Sequence, residues 1–158
     1  MKNSYYGFWT RLLVFLIINF GALYLGAMLQ GPGPSAAWYQ DLNIAPWTPE
    51  GWVFGAAWTL IMICFSICLA AVGDKLNWRR FGPIFFIQFV LNVAWNPVFF
   101  RYHQVLMALV VLLALLVVVC VIAVKCFGCQ RGPSLLMSPY IVWLGIALSL
   151  NAYVLLNN

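Results

Sequence analysis

Five stretches of this chain contain no Asp, Glu, Lys, Arg or His and are each long enough to cross a bilayer: Leu12–Leu29, Trp52–Val72, Phe81–Phe100, Val105–Val124 and Leu135–Leu156. A hydrocarbon core about 30 Å thick needs about 20 apolar residues per helix, and within it every backbone N–H and C=O must be paired inside the protein. The five stretches take up 101 of the 158 residues, which leaves too little chain for a second domain. They are continuous rather than alternating, which excludes a transmembrane β-barrel with its alternating segments of about 10 residues. The expected fold is an all-α integral membrane protein, a single domain over residues 1–158 built as a five-transmembrane-helix bundle. Composition agrees, with 65% hydrophobic and only 7% charged residues, where a soluble domain carries about 25% charged.

The first stretch has a competing reading as a secretory signal, with Lys2 and Arg11 ahead of it and the small residues Ser35–Ala37 behind. Its apolar run is longer than the roughly 7–15 residues of a signal core, so a retained helix is the better reading. Orientation follows from the cations. With the N-terminus inside, Lys2, Arg11, Lys75, Arg79, Arg80, Lys125 and Arg131 are cytoplasmic and only Arg101 is outside. In a bacterial-type plasma membrane this places the N-terminus in the cytoplasm and the C-terminus outside. The net charge of +5 rests on eight scattered cations, too few and too dispersed for a nucleic-acid surface.

Several chemistries lack the residues they need. Ionisable groups at bilayer depth mark pumps, proton-coupled carriers and ion paths, and the five stretches have none. His103 is the single histidine and lies between the third and fourth stretches, so a bis-histidine haem is excluded and an interfacial polar role is the simpler reading. There is no GxSxG or HExxH motif. Cys64, Cys68 and Cys120 in apolar helices read as small packing residues. Cys126-Phe127-Gly128-Cys129 is one isolated CxxC at the membrane edge, short of a zinc site. No metal site and no required cofactor are expected.

What the stretches do contain is sorted by helix. Val105–Val124 has no aromatic and no polar residue except Cys120, and reads as a packing or lipid-facing helix. The third stretch puts Gln88, Asn92, Trp95, Asn96 and Phe99 on one face, the fifth does the same with Tyr140, Trp143, Ala147 and Asn151, and the second with Phe54, Trp58, Ile61 and Phe65. Gln88, Asn92 and Asn151 need partners in hydrocarbon and should face the interior. The simpler alternative is interhelical hydrogen bonding for the amides and an interfacial belt for the tryptophans, the better reading for Trp52 and Trp38. Trp58, Trp95 and Trp143 sit deeper, in register with amides or other rings, and a neutral aromatic cavity with a few amides suits a large, flat, apolar ligand.

The first loop carries Gly31-Pro32-Gly33-Pro34, Trp38-Tyr39 and Pro46-Trp47-Thr48-Pro49. Proline and tryptophan at this density make a stiff cover rather than a slack linker, so the loop is expected to act as a lid, with Trp38 and Trp47 among the candidate ligand contacts. Thr48 is a candidate N-cap with Pro49 at the first helical position of the second span.

Trp38-Tyr39-x-x-Leu42 followed by Pro46-Trp47-x-Pro49-x-x-Trp52-Val53-Phe54-x-x-x-Trp58 resembles the first loop and second helix of the tryptophan-rich sensory protein / translocator protein (TspO/MBR) family, which includes the peripheral benzodiazepine receptor. Gln88-x-x-Leu91-Asn92-x-x-Trp95-x-x-x-Phe99-Phe100 resembles its third helix, and Pro139-Tyr140-x-x-Trp143-x-x-x-Ala147-x-x-x-Asn151 its fifth. The resemblance spans nearly the whole chain. It implies a pocket for porphyrins such as protoporphyrin IX and haem, and in some members for sterols and benzodiazepine-type drugs. It places Trp58, Asn92, Trp95, Trp143 and Ala147 on that pocket. Trp58 and Trp143 also match tryptophans tied to light-dependent porphyrin breakdown in some bacterial members, and homodimers are common in the family. Two departures stand out: Ile44-Ala45 replaces the usual Lys-Pro before the loop tryptophan, and Glu50 replaces the second proline of a Pro-Pro pair. The basic residue that a cholesterol motif requires after its tyrosine is also missing, since only Val154, Leu155, Leu156, Asn157 and Asn158 follow Tyr153.

The expected function is a membrane receptor or sensor that binds porphyrins or related apolar ligands through Trp38, Trp47, Phe54, Trp58, Gln88, Asn92, Trp95, Phe99, Tyr140, Trp143 and Ala147. A photochemical activity, if present, would fall to Trp58 and Trp143. The alternative is a passive carrier of tetrapyrroles or lipids, although nothing resembles an inverted repeat or a broken-helix pair. Ala22-x-x-x-Gly26 and Gly145-x-x-x-Ser149 are candidate dimer faces or intramolecular packing seams.

Overall fold

The computed structural model describes residues 2–158, with side chains from Gly7 onward. Five long helices carry the bundle: α1 (Lys2–Leu29), α3 (Gly51–Val72), α4 (Trp78–Asn96), α5 (Val105–Cys129) and α7 (Ser138–Asn157). Each lies in a segment long and apolar enough to cross a membrane, and no strand occurs among the described residues. Two short helices, α2 (Ala37–Gln40) and α6 (Arg131–Ser134), lie in the connections. The chain is an integral, multi-pass membrane protein.

The helices outrun the charge-free stretches. α1 begins at Lys2 and takes in Arg11, and α5 continues through Lys125 to Cys129. Long basic side chains can remain helical at a span's end while their heads reach polar surroundings. The CxxC therefore lies in the last turn of α5, with Cys126 fully buried and Cys129 partly exposed. α4 stops at Asn96, short of Phe100. Pro97 cannot donate to the helical ladder, and Pro97–Arg101 forms a π-type turn closed by Tyr102 N–H donating to Pro97 O at 2.9 Å. The last span begins at Ser138, after a 3-10 turn at Leu135–Met137.

The expected cap at Thr48 is not formed. Thr48 N–H closes a turn onto Ala45 O at 2.9 Å, and α3 starts at Gly51 with extended Glu50 ahead of it. Thr48 precedes a proline, which disfavours the helical backbone, and the turn has already used its N–H. The Glu50 carboxylate accepts from Trp52 Nε1 at 2.8 Å instead of capping the helix.

Neighbouring helices form a closed ring in the order α1, α3, α7, α5, α4 and back to α1. α1 is fastened to α3 at two depths. Asn19 Nδ2 donates to Ser66 Oγ at 2.9 Å in the buried interior. Nearer the basic end, Arg11 pairs with Asp74 and donates through Nε to Ala70 O at 3.0 Å. Gly73 makes room for that arginine, because a Cβ there would lie 2.8 Å from Arg11 Cδ and 3.0 Å from Leu69 O. α1 meets α4 through Gly26, where a Cβ would lie 2.6 Å from Asn96 Nδ2. Ala22-x-x-x-Gly26 is thus a seam inside the chain, both residues being buried. Gly145 has no atom within 4 Å of a built Cβ.

α4 makes little direct backbone contact with α3 or α7, so the centre of the ring is bridged by side chains. Phe65 of α3 meets Phe85 of α4 at 6.1 Å between ring centres and Tyr140 of α7 at 5.6 Å. That aromatic centre is continuous with the buried core of Phe15, Met62, Phe81, Leu112, Leu115 and Leu144.

Candidate aromatic ligand site under the lid

The three helices that carry tryptophan and amide stripes all turn those stripes into the ring. On α7, Tyr140 is fully buried, Trp143 is 8% exposed and Asn151 is 3% exposed. On α4, Gln88 and Asn92 are buried, at 1% and 5%. Phe54 of α3 meets Trp143 edge-on at 5.3 Å, and Trp58 meets Tyr140 edge-on at 5.9 Å. Gln88 Nε2 donates to Tyr140 Oη at 2.9 Å, tying α4 to α7 across the centre. Trp95 stacks on Phe99 at 5.5 Å with planes 13° apart. Trp58, Trp95 and Ala147 pack against the same core as Tyr140 and Trp143.

The structure therefore brings Phe54, Trp58, Gln88, Tyr140, Trp143 and Ala147 together. Trp95 links them to a second cluster of Phe99, Phe100, Ala108 and Val154. Residues 30–50 close over this second cluster. Trp38, Tyr39 and Leu42 pack directly on it; Trp38 is edge-on to Phe99 at 5.7 Å, and Tyr39 sits 5.3 Å from Phe100. Burial against these rings raises the Tyr39 hydroxyl above its ordinary pKa, since the ionised form loses its water.

Trp38 has a second partner that its sequence position did not suggest. It stacks on His103 at 4.1 Å with planes 14° apart. His103 holds a positive φ of 56°, a left-handed conformation uncommon outside glycine. This imidazole is engaged by the lid, outside the aromatic centre. Trp47 behaves differently from the other candidates. It is 56% exposed, meets Tyr153 edge-on at 5.3 Å and donates to Ser149 Oγ at 3.3 Å. Trp47 thus fastens the lid to the outer face of α7 rather than lining the centre. The far end of the chain adds a second tie, as Asn43 N–H donates to Asn158 Oδ1 at 2.8 Å and Asn158 Nδ2 donates back to Asn43 O at 3.2 Å. Trp52 is 70% exposed, a belt position.

Four buried side-chain atoms in this region have no hydrogen-bond partner in the protein: Gln88 Oε1, Trp95 Nε1, and both Oδ1 and Nδ2 of Asn151. Buried polar groups are nearly always paired, and each exception calls for an explanation. Asn151 is the residue that the sequence reading placed in register but left out of the candidate site. Its stripe is readable from sequence, whereas its lack of a partner is visible only in three dimensions. It lies one turn beyond Ala147 and about one turn before Val154, between the two clusters that Trp95 joins. The arrangement offers flat aromatic walls, one indole donor and amides able to give or accept a hydrogen bond.

A ring of five membrane-spanning helices around an aromatic, amide-bearing centre, covered at one end by a docked loop, defines a multi-pass helical membrane protein built around its interior. The TspO/MBR family model matches residues 13–156, and the chain belongs to that family. It is 32% identical over 125 residues to the tryptophan-rich protein TspO of Chlorobaculum tepidum, covering 76% of this chain and 79% of that protein. It is 28% identical over 143 residues to the tryptophan-rich sensory protein of Cereibacter sphaeroides, covering 90% and 88%. It is 28% identical over 136 residues to the human translocator protein, covering 80% and 78%.

Proposed function

We propose that this protein binds a porphyrin between α3, α4 and α7 beneath the lid, and that it acts as a membrane receptor or sensor for that ligand. The observation that carries the reading is the set of partnerless buried atoms on Gln88, Trp95 and Asn151, which sit among aromatic walls from three helices. A flat macrocycle can replace ring-on-ring contacts such as Trp95–Phe99 and Phe54–Trp143 with contacts of the same kind. Aromatic pairs are worth about 0.5–1.5 kcal/mol each beyond burial, so parting them for an aromatic ligand costs little net energy. Entry requires the lid to lift, since Trp38 and Tyr39 rest on Phe99 and Phe100.

The residues favour a metal-free porphyrin over a haem held by axial ligation, because His103 is stacked on the lid and the centre offers amides and an indole. The propionates of a bound porphyrin would remain in water at the lid end, where Arg101 is the nearby cation by chain position. The porphyrin reading is tested by quenching of tryptophan fluorescence, titrated in the dark with protoporphyrin IX, haem and a sterol side by side. Saturable quenching at one protoporphyrin per chain, with weaker haem and no saturable sterol response, supports it. Equal, non-saturating quenching by all three overturns it. If bound porphyrin is also broken down in light, Trp58 and Trp143 are the indoles placed to take part. Trp58→Phe and Trp143→Phe then bind porphyrin yet bleach it more slowly than Trp52→Phe does.

A further inference from the structure

We propose that a groove on the outer face of the bundle, between the end of α5 and the start of α7, binds the acyl chain of an anionic phospholipid whose phosphate is held by Arg131. The groove has a volume of about 280 Å³ and is lined chiefly by Val124, Phe127, Leu135 and Ile141. It lies at the basic end, away from the aromatic centre. Val124 is 73% exposed and Leu135 67%, so its walls open outward to the bilayer. Its two polar linings are already satisfied: Ser134 Oγ donates to Gln130 O at 2.6 Å and Ser138 Oγ to Leu135 O at 2.7 Å. A wall whose hydroxyls are turned back onto their own backbone suits hydrocarbon rather than a polar peptide. At about 30 Å³ per water-sized group, the volume accommodates about nine such groups, enough for part of one acyl chain.

Charge identifies the headgroup. The Arg131 guanidinium carbon lies 5.4 Å from the centre of the Phe127 ring, at the edge of the groove. Lys75 reaches the same corner, where its Nζ donates to Gln130 Oε1 at 3.3 Å. The chain's three acidic residues are Asp41, Glu50 and Asp74. Two belong to the lid side of the chain, and Asp74 is paired with Arg11. No Asp or Glu follows Asp74 in the sequence, so no acidic side chain on α5, α6 or α7 opposes an anion there. A bilayer lipid gains little from moving its tail into an apolar groove, so selectivity rests on the headgroup, at about fivefold per neighbouring cation.

The test is native mass spectrometry of the delipidated protein in detergent, given equal amounts of phosphatidylglycerol and phosphatidylcholine with matched chains. The expected result is preferential retention of phosphatidylglycerol, reduced about fivefold in Arg131→Gln. Ser138→Phe, a filling change at an exposed position in the groove, should abolish retention of either lipid. Arg101→Gln, at the lid end, should leave the preference intact. Equal retention of the two lipids by the wild type overturns the proposal. So does a preference that survives either groove variant, or one that disappears with Arg101→Gln. A dimer that Ser138→Phe breaks would mean that a second copy of the chain occupies the groove, and overturns it as well.

Discussion

Asn151 gives the sharpest contrast between a side chain that holds the bundle together and one held ready for a ligand. Both polar atoms of its amide are buried without a protein partner. An unsatisfied buried polar group costs about 1–3 kcal/mol. Asn151→Leu keeps the volume nearly constant and removes that cost, so the ligand-free protein should become more stable by about 1 kcal/mol. The companion change Gln88→Leu acts in the opposite direction. It removes the 2.9 Å bond to Tyr140 and leaves a fully buried hydroxyl unpaired, a loss only partly offset by removing the partnerless Gln88 Oε1, and should cost up to about 1 kcal/mol. If the Asn151 amide meets the porphyrin, losing one hydrogen bond worth about 0.5–1.5 kcal/mol weakens binding about two- to twelvefold. Stability is read from unfolding of the detergent-solubilised protein in increasing SDS, and affinity from the dark quenching titration. An Asn151→Leu variant that is destabilised by 1 kcal/mol or more and binds protoporphyrin normally would refute the ligand-facing reading, since that is the behaviour of interhelical glue.

Three further outcomes follow. Asn92→Leu should lower porphyrin affinity with little change in ligand-free stability, because amide pairs in membranes are worth only about 0.6 kcal/mol on average; the same two assays decide it. Gly73→Ala should destabilise the protein by about 1–2 kcal/mol in SDS unfolding, as the new methyl displaces Arg11 from Ala70 and Asp74, whereas Gly145→Ala, with open space around it, should be close to neutral. For orientation, a membrane-impermeant maleimide applied to intact cells should miss Cys129 and label a Gln40→Cys lid variant. Cys126 is fully buried and reports from neither side.

The five spans were legible because freedom from charge over about 20 residues has one structural solution in hydrocarbon. The facing of Gln88, Tyr140 and Trp143 was legible from helical register for the same reason, as amides and indole N–H groups avoid lipid. Helix ends were not legible. Lys125 and Arg11 look like boundaries in a charge count, yet their aliphatic stems let α5 and α1 continue through them. Thr48 looked like a cap because capping preferences are local, and the turn onto Ala45 that uses its N–H is a competing local choice of similar energy. The lid's contacts were the least readable part. Trp38 finds His103 and Trp47 finds Ser149 across 65 and 102 residues of chain, and no periodicity encodes such a pairing. The lone histidine, read as an interfacial polar residue, is exposed and also gives the lid's Trp38 a stacking surface.

The central claim, a porphyrin seated between α3, α4 and α7, is tested most directly by mapping where the ligand oxidises the protein. An excited porphyrin generates short-lived oxidants that attack nearby indoles. Protein in lipid nanodiscs is loaded with one equivalent of protoporphyrin IX, briefly illuminated, and its oxidised tryptophans are located by peptide mass spectrometry. Exposure alone would favour Trp52, at 70%, and Trp9, at 63%, over Trp143, at 8%. The structure predicts the reverse order, with Trp58, Trp95 and Trp143 oxidised first. Oxidation concentrated on Trp52 and Trp9, with the three interior indoles spared, would contradict it.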